Sequence, residues 1–398
     1  VTILQKTLVR KLFERVQGKG FSVQYWDGTT DRFGRGTPRF KLILRDPAVL
    51  PRVLKEPELG FGEAYMEGRV EVEGDLRELV RTAIEYRNAL GESRKALFAL
   101  KAAQMLPWRN SPARQKKDVQ YHYDIGNEFY SLWLDETMSY SCAYFKSPND
   151  SLHQAQLQKV DHTLRKLQLK PGHTLLDIGS GWGWLIVRAA QQHGVRALGI
   201  TLSEQQVAET RKRIADLGLT GQVEAELMDY RTLADSGRTF DRVVSVGMFE
   251  HVGRANLPVY MAAVAKMLKP GGLSLLHTIT HMTEDPVNPW IEKYIFPGGY
   301  IPSLRETIWL LPEYDFHVLD VESLRLHYAM TLERWAENYD RNYTRVVEQF
   351  GERFARMWRL YLHSCAASFR VSGLDIHQIL FSKGLNNDLP LTRQHLYD

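Results

Sequence analysis

The segment Leu175-Leu176-Asp177-Ile178-Gly179-Ser180-Gly181-Trp182-Gly183 joins an apolar run to a turn with glycine at every second position. A helical pattern follows from about Trp184, so the segment predicts a buried strand, a tight loop and a helix start. Gly179 and Gly181 let a ligand approach the backbone closely, and the helix start offers amide N–H groups that lack intrahelical partners. The chemistry expected of such a loop is capture of a small polar ligand. Its Gly-x-Gly-x-Gly spacing after an acid departs from the dinucleotide fingerprint. Two more polar residues draw notice: Glu250 in Phe249-Glu250-His251-Val252-Gly253, and His277 in Leu276-His277-Thr278-Ile279. Both follow apolar runs that read as the fourth and fifth strands of one sheet, and so open onto the same end of it. The structural alternatives are a helix cap or a surface carboxylate for Glu250 and a hydrogen-bonded core position for His277.

The elements that must hold these residues read as alternating helices and buried strands. Apolar strands are expected at Thr174 to Ile178, Ala197 to Thr201, Arg242 to Val246 and Leu273 to Ile279, and another strand ends near Leu227. Helices are expected at Gln154 to Leu167, Gln205 to Leu217 and Leu257 to Leu268. This alternation predicts a parallel, doubly wound sheet, which binds ligands at the carboxyl ends of its strands. Before it, short strands at Phe21 to Tyr25, Arg39 to Leu44 and Val70 to Val72 lie between helices near Thr2 to Val16 and Asp75 to Glu85. They form a small α+β domain without a chemical constellation. The expected division is residues 1–90, a basic linker over 91–117, and a second domain over 118–398.

Composition narrows the class. The 398 residues are 44% hydrophobic and 25% charged, as in ordinary globular proteins. No run approaches the eighteen apolar residues of a membrane span, and the first residues lack the apolar core of a secretory signal. Two cysteines, Cys142 and Cys365, are too few for a disulfide framework and fit a reducing cytoplasm. The histidines are scattered without ligand spacing, so no metal is expected. From Arg94 to Lys117 there are seven Lys or Arg and no acid, interleaved with Leu97, Phe98, Leu100, Met105, Leu106 and Trp108. Such a stretch suits an anionic membrane surface, with an exposed linker helix as the alternative.

The acid-preceded glycine loop resembles the first motif of class I S-adenosylmethionine methyltransferases. That likeness implies a loop passing the methionine part of the cofactor, with Asp177, Gly179 and Gly181 on it. At the end of the second strand Thr201 stands where many Rossmann-like enzymes have an acid, with Gln206 a turn later able to bond a ribose diol. Thr201 or Ser203 is also a candidate helix cap. After the third strand, Asp229 and Tyr230 can flank the adenine.

Tyr140-Ser141-Cys142-Ala143-Tyr144-Phe145 makes the likeness specific. With Tyr121-His122-Tyr123-Asp124 and the Glu250 and His277 segments, it resembles the cyclopropane-fatty-acyl-phospholipid synthases and mycolic acid cyclopropane synthases, over about residues 118–385. The resemblance implies an α/β fold: a Rossmann-like class I methyltransferase domain beside a smaller amino-terminal α+β domain. It implies transfer of a methylene from S-adenosylmethionine across a cis double bond of an acyl chain. The segment Gly62 to Gly68 resembles the phospholipid-acting branch, so the implied substrate is a membrane phospholipid. Tyr140 and Ser141 then join the cofactor residues, and a bound bicarbonate serves as base, with Cys142, Glu250, His277, Ile279 and Tyr328 around it. In that set His and Tyr donate to an oxyanion, Glu250 accepts from its hydroxyl, and Cys142 and Ile279 offer backbone groups.

Cys365 stands where this family has what is called its active-site cysteine. Methyl transfer to an alkene needs no covalent enzyme intermediate, and Phe354 to Phe369 reads as an amphipathic helix. Packing is therefore the expected role, with a tunnel-side position as the alternative. The family also implies a homodimer, and a cytoplasmic protein peripherally associated with the inner membrane. Nucleic acid is not an expected partner, because no Asn-Pro-Pro-Tyr-like motif occurs and the basic stretch is short.

Overall fold

The computed structural model describes residues 2–16, 18–89 and 125–397. The expected linker over 91–117, its basic stretch and the Tyr121–Asp124 motif lie outside them. The chain divides into two compact units that do not follow its order. One comprises Val1–Met105, Val287–Pro297 and Leu332–Gly373; the other comprises Leu106–Pro286, Gly298–Thr331 and Leu374–Asp398.

The first unit is built on a four-stranded sheet in the order β2-β1-β3-β4. Its strands are β1 (Phe21–Gln24), β2 (Thr30–Phe33), β3 (Phe40–Leu44) and β4 (Val70–Gly74). β1 pairs antiparallel with β2 and parallel with β3, and β3 pairs antiparallel with β4. Phe21 anchors the core, with ring centroids 5.6 Å from Phe13, 5.4 Å from Phe33 and 5.2 Å from Phe40. β2 has no counterpart among the expected strands, since Thr-Asp-Arg-Phe is nearly all polar. It forms because the preceding turn returns it to β1.

The helix Glu352–Val371 belongs to this unit and packs on the helices Pro57–Met66 and Leu76–Ala89. Its buried residues Ala355, Trp358, Leu362, Ala366 and Phe369 recur at helical spacing and form one apolar stripe, which needs a partner. Arg356 fixes the contact by donating to the Tyr65 carbonyl and, at 2.8 Å, to the Val70 carbonyl. Sequence order alone gives no sign of this pairing.

The second unit carries a seven-stranded sheet in the order β10-β11-β9-β8-β5-β6-β7. Its strands are β5 (Thr174–Ile178), β6 (Arg196–Thr201), β7 (Val223–Leu227), β8 (Phe240–Val246), β9 (Leu268–His281), β10 (Phe316–Ser323) and β11 (Leu374–Lys383). β7, β6, β5, β8 and β9 are parallel, as expected. The sheet is not wholly parallel, however: β11 runs antiparallel between β9 and β10. This pair was not foreseen, because Phe316–Ser323 alternates polar and apolar residues rather than forming a buried run. β5 lies between β6 and β8, so chain order reverses on its two sides, which puts the topological switch point at the end of β5. Helices Leu152–Lys166, Trp184–His193, Glu204–Asp216 and Leu257–Met267 complete the α/β layers.

Candidate active site

The glycine loop leaves β5 at that switch point and enters the helix Trp184–His193. Gly179 and Gly183 hold φ of 84° and 81°, in the left-handed region. A Cβ at Gly179 would lie 2.8 Å from Met248, and one at Gly183 would strike Thr210. Gly181, at φ 54°, differs: a Cβ there would meet no protein atom within 4 Å. It faces a cleft whose wall includes all nine residues expected to bind cofactor: Tyr140, Ser141, Asp177, Gly179, Gly181, Thr201, Gln206, Asp229 and Tyr230.

The bonds within the cleft refine their roles. Ser203, not Thr201, caps the helix Glu204–Asp216, accepting from the Gln206 amide. Thr201 instead donates its hydroxyl to Gln206 Oε1 at 2.7 Å, which leaves the Gln206 amide N–H groups as donors. Asp229 caps the helix Tyr230–Asp235 and takes Arg231 Nε at 2.8 Å, so its carboxylate is both structural and part of the wall. Asp177 is 3% exposed, and burial lifts its carboxyl pKa to about 7. Lys159, Met248 and His251 also line the cleft but were not singled out from sequence. Lys159 gave a signal, as a charged residue on the apolar face of its helix. His251 is held neutral by burial, with its pKa near 4.

The residues expected around a base are built from the next strand. β8 pairs with β9 as far as Val246↔His277 and then ends, so the Ile279 amide has no strand partner on that side. Glu250, in the short turn Phe249–His251, takes that place: its Oε1 accepts from the Ile279 N–H at 2.6 Å. The Ile279 amide is therefore used to hold Glu250. Burial raises the Glu250 pKa above the ordinary carboxylate value, and its Oε2 is buried without a partner. His277 is wholly buried, which depresses its pKa well below the usual value and keeps the ring neutral. Its cross-strand neighbour Gln378 offers Nε2 to His277 Nδ1 at 3.3 Å, and to Thr163 Oγ1 at 3.3 Å. With Nδ1 accepting, the ring proton sits on Nε2, which is buried and unpartnered. A buried acceptor and a buried donor are thus left without partners. Unmet groups of this kind cost about 1–3 kcal/mol each unless a ligand satisfies them.

Cys142 is fully buried, its thiol pushed far up by desolvation, with Sγ 3.2 Å from the Ala143 carbonyl. Its segment is pinned to the start of the helix Arg325–Arg341: Ala143 N–H donates to Thr331 Oγ1 and Phe145 N–H to His327 Nδ1, both at 3.0 Å. Tyr328 stands on that helix, 8% exposed. Lys159 acts electrostatically on both Cys142 and His277. Cys365 lies in the other compact unit and does not line the cleft. The residue keeps some exposure as a whole, yet desolvation of the thiol pushes its pKa to about 12, so it is not poised as a nucleophile.

A model of the mycolic acid cyclopropane synthetase family matches residues 110–379, and a domain family of unknown function matches residues 8–95. A probable fatty acid methyltransferase of Pseudomonas putida is 40% identical over 94% of this chain and 95% of its own length. The cyclopropane-fatty-acyl-phospholipid synthase of Escherichia coli K12 is 38% identical over 90% of this chain and 92% of its own. Among solved structures, the mycobacterial cyclopropane synthase MmaA2 aligns with a TM-score of 0.64 and 34% identity, covering 70% of this chain and all of that one. The mycolic acid cyclopropane synthase CmaA1, complexed with SAH and CTAB, aligns with the same TM-score at 33% identity, covering 67% of this chain and 98% of that one. Glycine loop, switch-point cleft and family match agree, and the chain belongs to the mycolic acid cyclopropane synthetase family of S-adenosylmethionine-dependent methyltransferases.

Proposed function

We propose that this enzyme adds a methylene from S-adenosylmethionine across the cis double bond of an unsaturated phospholipid acyl chain, forming a cyclopropane. The cofactor supplies an electrophilic sulfonium methyl. The chain's task is to hold the double bond against it, exclude water from the cationic acyl chain, and remove one proton so that the ring closes. The observation that carries the reading is the pair of unmatched buried atoms, Glu250 Oε2 as acceptor and His277 Nε2–H as donor. A bicarbonate ion, which needs one acceptor for its hydroxyl and donors for its oxygens, has the chemistry to satisfy both atoms and would supply a proton acceptor. Glu250, His277 and Tyr328 are the side chains the resemblance assigns to it, with a backbone group of Cys142. Gln378 sets the His277 tautomer. Replacing it by Leu is expected to lower turnover about tenfold or more, because a mis-set tautomer loses the donor. Cofactor affinity measured by calorimetry should not change.

A second reading follows from the Pseudomonas relative named a fatty acid methyltransferase: the acyl cation loses its proton from another carbon and a methyl or methylene branch remains. Both readings are tested by turnover of labelled S-adenosylmethionine with unsaturated phospholipid vesicles, with and without bicarbonate, and mass spectrometry of the products. The cyclopropane reading requires a product one methylene heavier that resists ozonolysis. A product still cleaved by ozone overturns it, and loss of bicarbonate dependence removes the assigned base.

Among the described residues no helix is long and apolar enough to cross a membrane, so the acyl chain must be drawn from the membrane surface. The basic Arg94–Lys117 stretch is the proposed docking element, at the inner membrane of the cytoplasm, on a homodimer. Charge reversal at Lys101, Arg109, Lys116 and Lys117 is expected to weaken flotation with anionic vesicles and leave cofactor affinity intact. Unchanged flotation removes the proposal.

A further inference from the structure

Lys159 is a buried cation that forms no ion pair among the described residues, although Asp135 and Asp177 act on it from farther away. It lies on the inner face of the helix Leu152–Lys166, is 4% exposed, and lines the cofactor cleft. Its Nζ donates to Ser141 Oγ at 2.8 Å, which is its one hydrogen bond among the described residues, and no described carboxylate forms an ion pair with it. An ammonium has three donors, so two remain. Across the same cleft wall Asp177 is likewise buried, and its carboxyl has no ion-pair partner among the described residues. The two attract each other without forming an ion pair, and burial of both is costly unless a ligand completes them. A ligand with an ammonium and a carboxylate on one carbon matches this arrangement, and the amino-acid end of the family's cofactor has that form.

We propose that Lys159 is a binding residue for the cofactor, its ammonium pairing with the α-carboxylate of the amino-acid end while Ser141 holds it in place. The inference rests on the cofactor reading above and deepens it. Ser141 then has a different role from direct contact: its hydroxyl aims Lys159, and its carbonyl, accepting from Gln156 Nε2 at 2.9 Å, anchors the segment. The carboxylate also offsets repulsion between Lys159 and a sulfonium, which would otherwise weaken binding of a cationic cofactor. A bicarbonate ion presents related oxyanion chemistry, and the Lys159 charge reaches His277. The cleft-facing position and the Ser141 bond favour the cofactor's carboxylate.

The test compares S-adenosylhomocysteine with its decarboxylated analogue, 5′-(3-aminopropylthio)-5′-deoxyadenosine, by calorimetry on the full chain, with and without bicarbonate. Lys159→Met is expected to weaken S-adenosylhomocysteine by about 30-fold or more and the analogue by less than about threefold, with Lys159→Arg restoring part of the difference. Equal losses on both ligands overturn the proposal in favour of a packing role. A loss that appears only with bicarbonate present overturns it in favour of that ion. If Lys159→Met does not fold, the wild-type chain still decides. Burial holds the Lys159 pKa down to about 8, so the preference for the carboxylate-bearing ligand should shrink as pH rises above that value. A preference constant up to pH 10 overturns the proposal. Failure of the wild-type chain to bind either ligand contradicts the cofactor reading itself.

Discussion

Glu250→Gln is expected to lower turnover by about 10²–10³ while leaving the affinity for S-adenosylhomocysteine unchanged. The amide oxygen can still accept from the Ile279 N–H, so the turn Phe249–His251 keeps its anchor. What changes is the second atom, which turns from a buried acceptor into a donor facing the proposed base. Glu250 does not line the cofactor cleft, so binding and turnover should separate. The same variant makes a stability prediction of the opposite sense. Burial raises the folded-state pKa of Glu250, so the fold favours the protonated form. Stability from that preference is fully present below the unfolded value of 4.5 and is lost as pH rises through the folded value. At neutral pH the ionised carboxylate is therefore a burden that Gln removes, and Tm should match or exceed that of the wild type. In the wild type, activity should fall on the acid side at a pH above the ordinary carboxylate range. A fully active variant, or one with a clearly lower Tm at pH 7, contradicts this account.

The second large effect concerns the glycine loop, where three glycines that look alike in sequence do different work. Gly181→Ala is expected to weaken S-adenosylhomocysteine by about 100-fold, as a methyl group in the space a ligand must occupy would. The fold should lose only about 1 kcal/mol, the cost of a non-glycine residue in left-handed backbone, because the new Cβ meets no protein atom. Gly183→Ala should do the reverse. Gly183 caps the start of the helix Trp184–His193 and its Cβ would strike Thr210 of the helix Glu204–Asp216, so the loss should fall on stability, with Tm dropping well below that of the Gly181 variant. Calorimetry and thermal melts on both variants check the contrast, and equal affinity losses would refute it.

Much of the cofactor half was legible from residues alone. A buried strand ending in glycines has few uses, and the period of the apolar runs placed the parallel strands within a few residues of their observed positions. The nine residues expected at the cofactor all line one cleft: seven stand at or shortly after strand ends, which a parallel sheet brings together, while Tyr140 and Ser141, given by the resemblance, come from the segment before the helix Leu152–Lys166. The base half was visible mainly through resemblance. Its physical basis depends on where β8 stops, which frees the Ile279 amide for Glu250, and on β11 setting Gln378 opposite His277. β11 lies about a hundred residues beyond β9 in sequence, and no local period reveals such a pairing.

Sequence by itself determined the parallel strands, their helices and the glycine loop, since backbone freedom and side-chain periodicity are local properties, while the kind of ligand came from the resemblance that the loop carries. Tertiary structure decided the rest. It used one loop glycine for ligand space and another for packing, and it gave Thr201 to Gln206 and the cap to Ser203. It also put Cys365 on a helix of the first unit with a neutral, desolvated thiol. It buried Lys159 without an ion pair among the described residues, which a sequence shows only as one more lysine. Burial sets the cost of a charge and the value of a hydrogen bond, and burial is a property of contacts between distant residues.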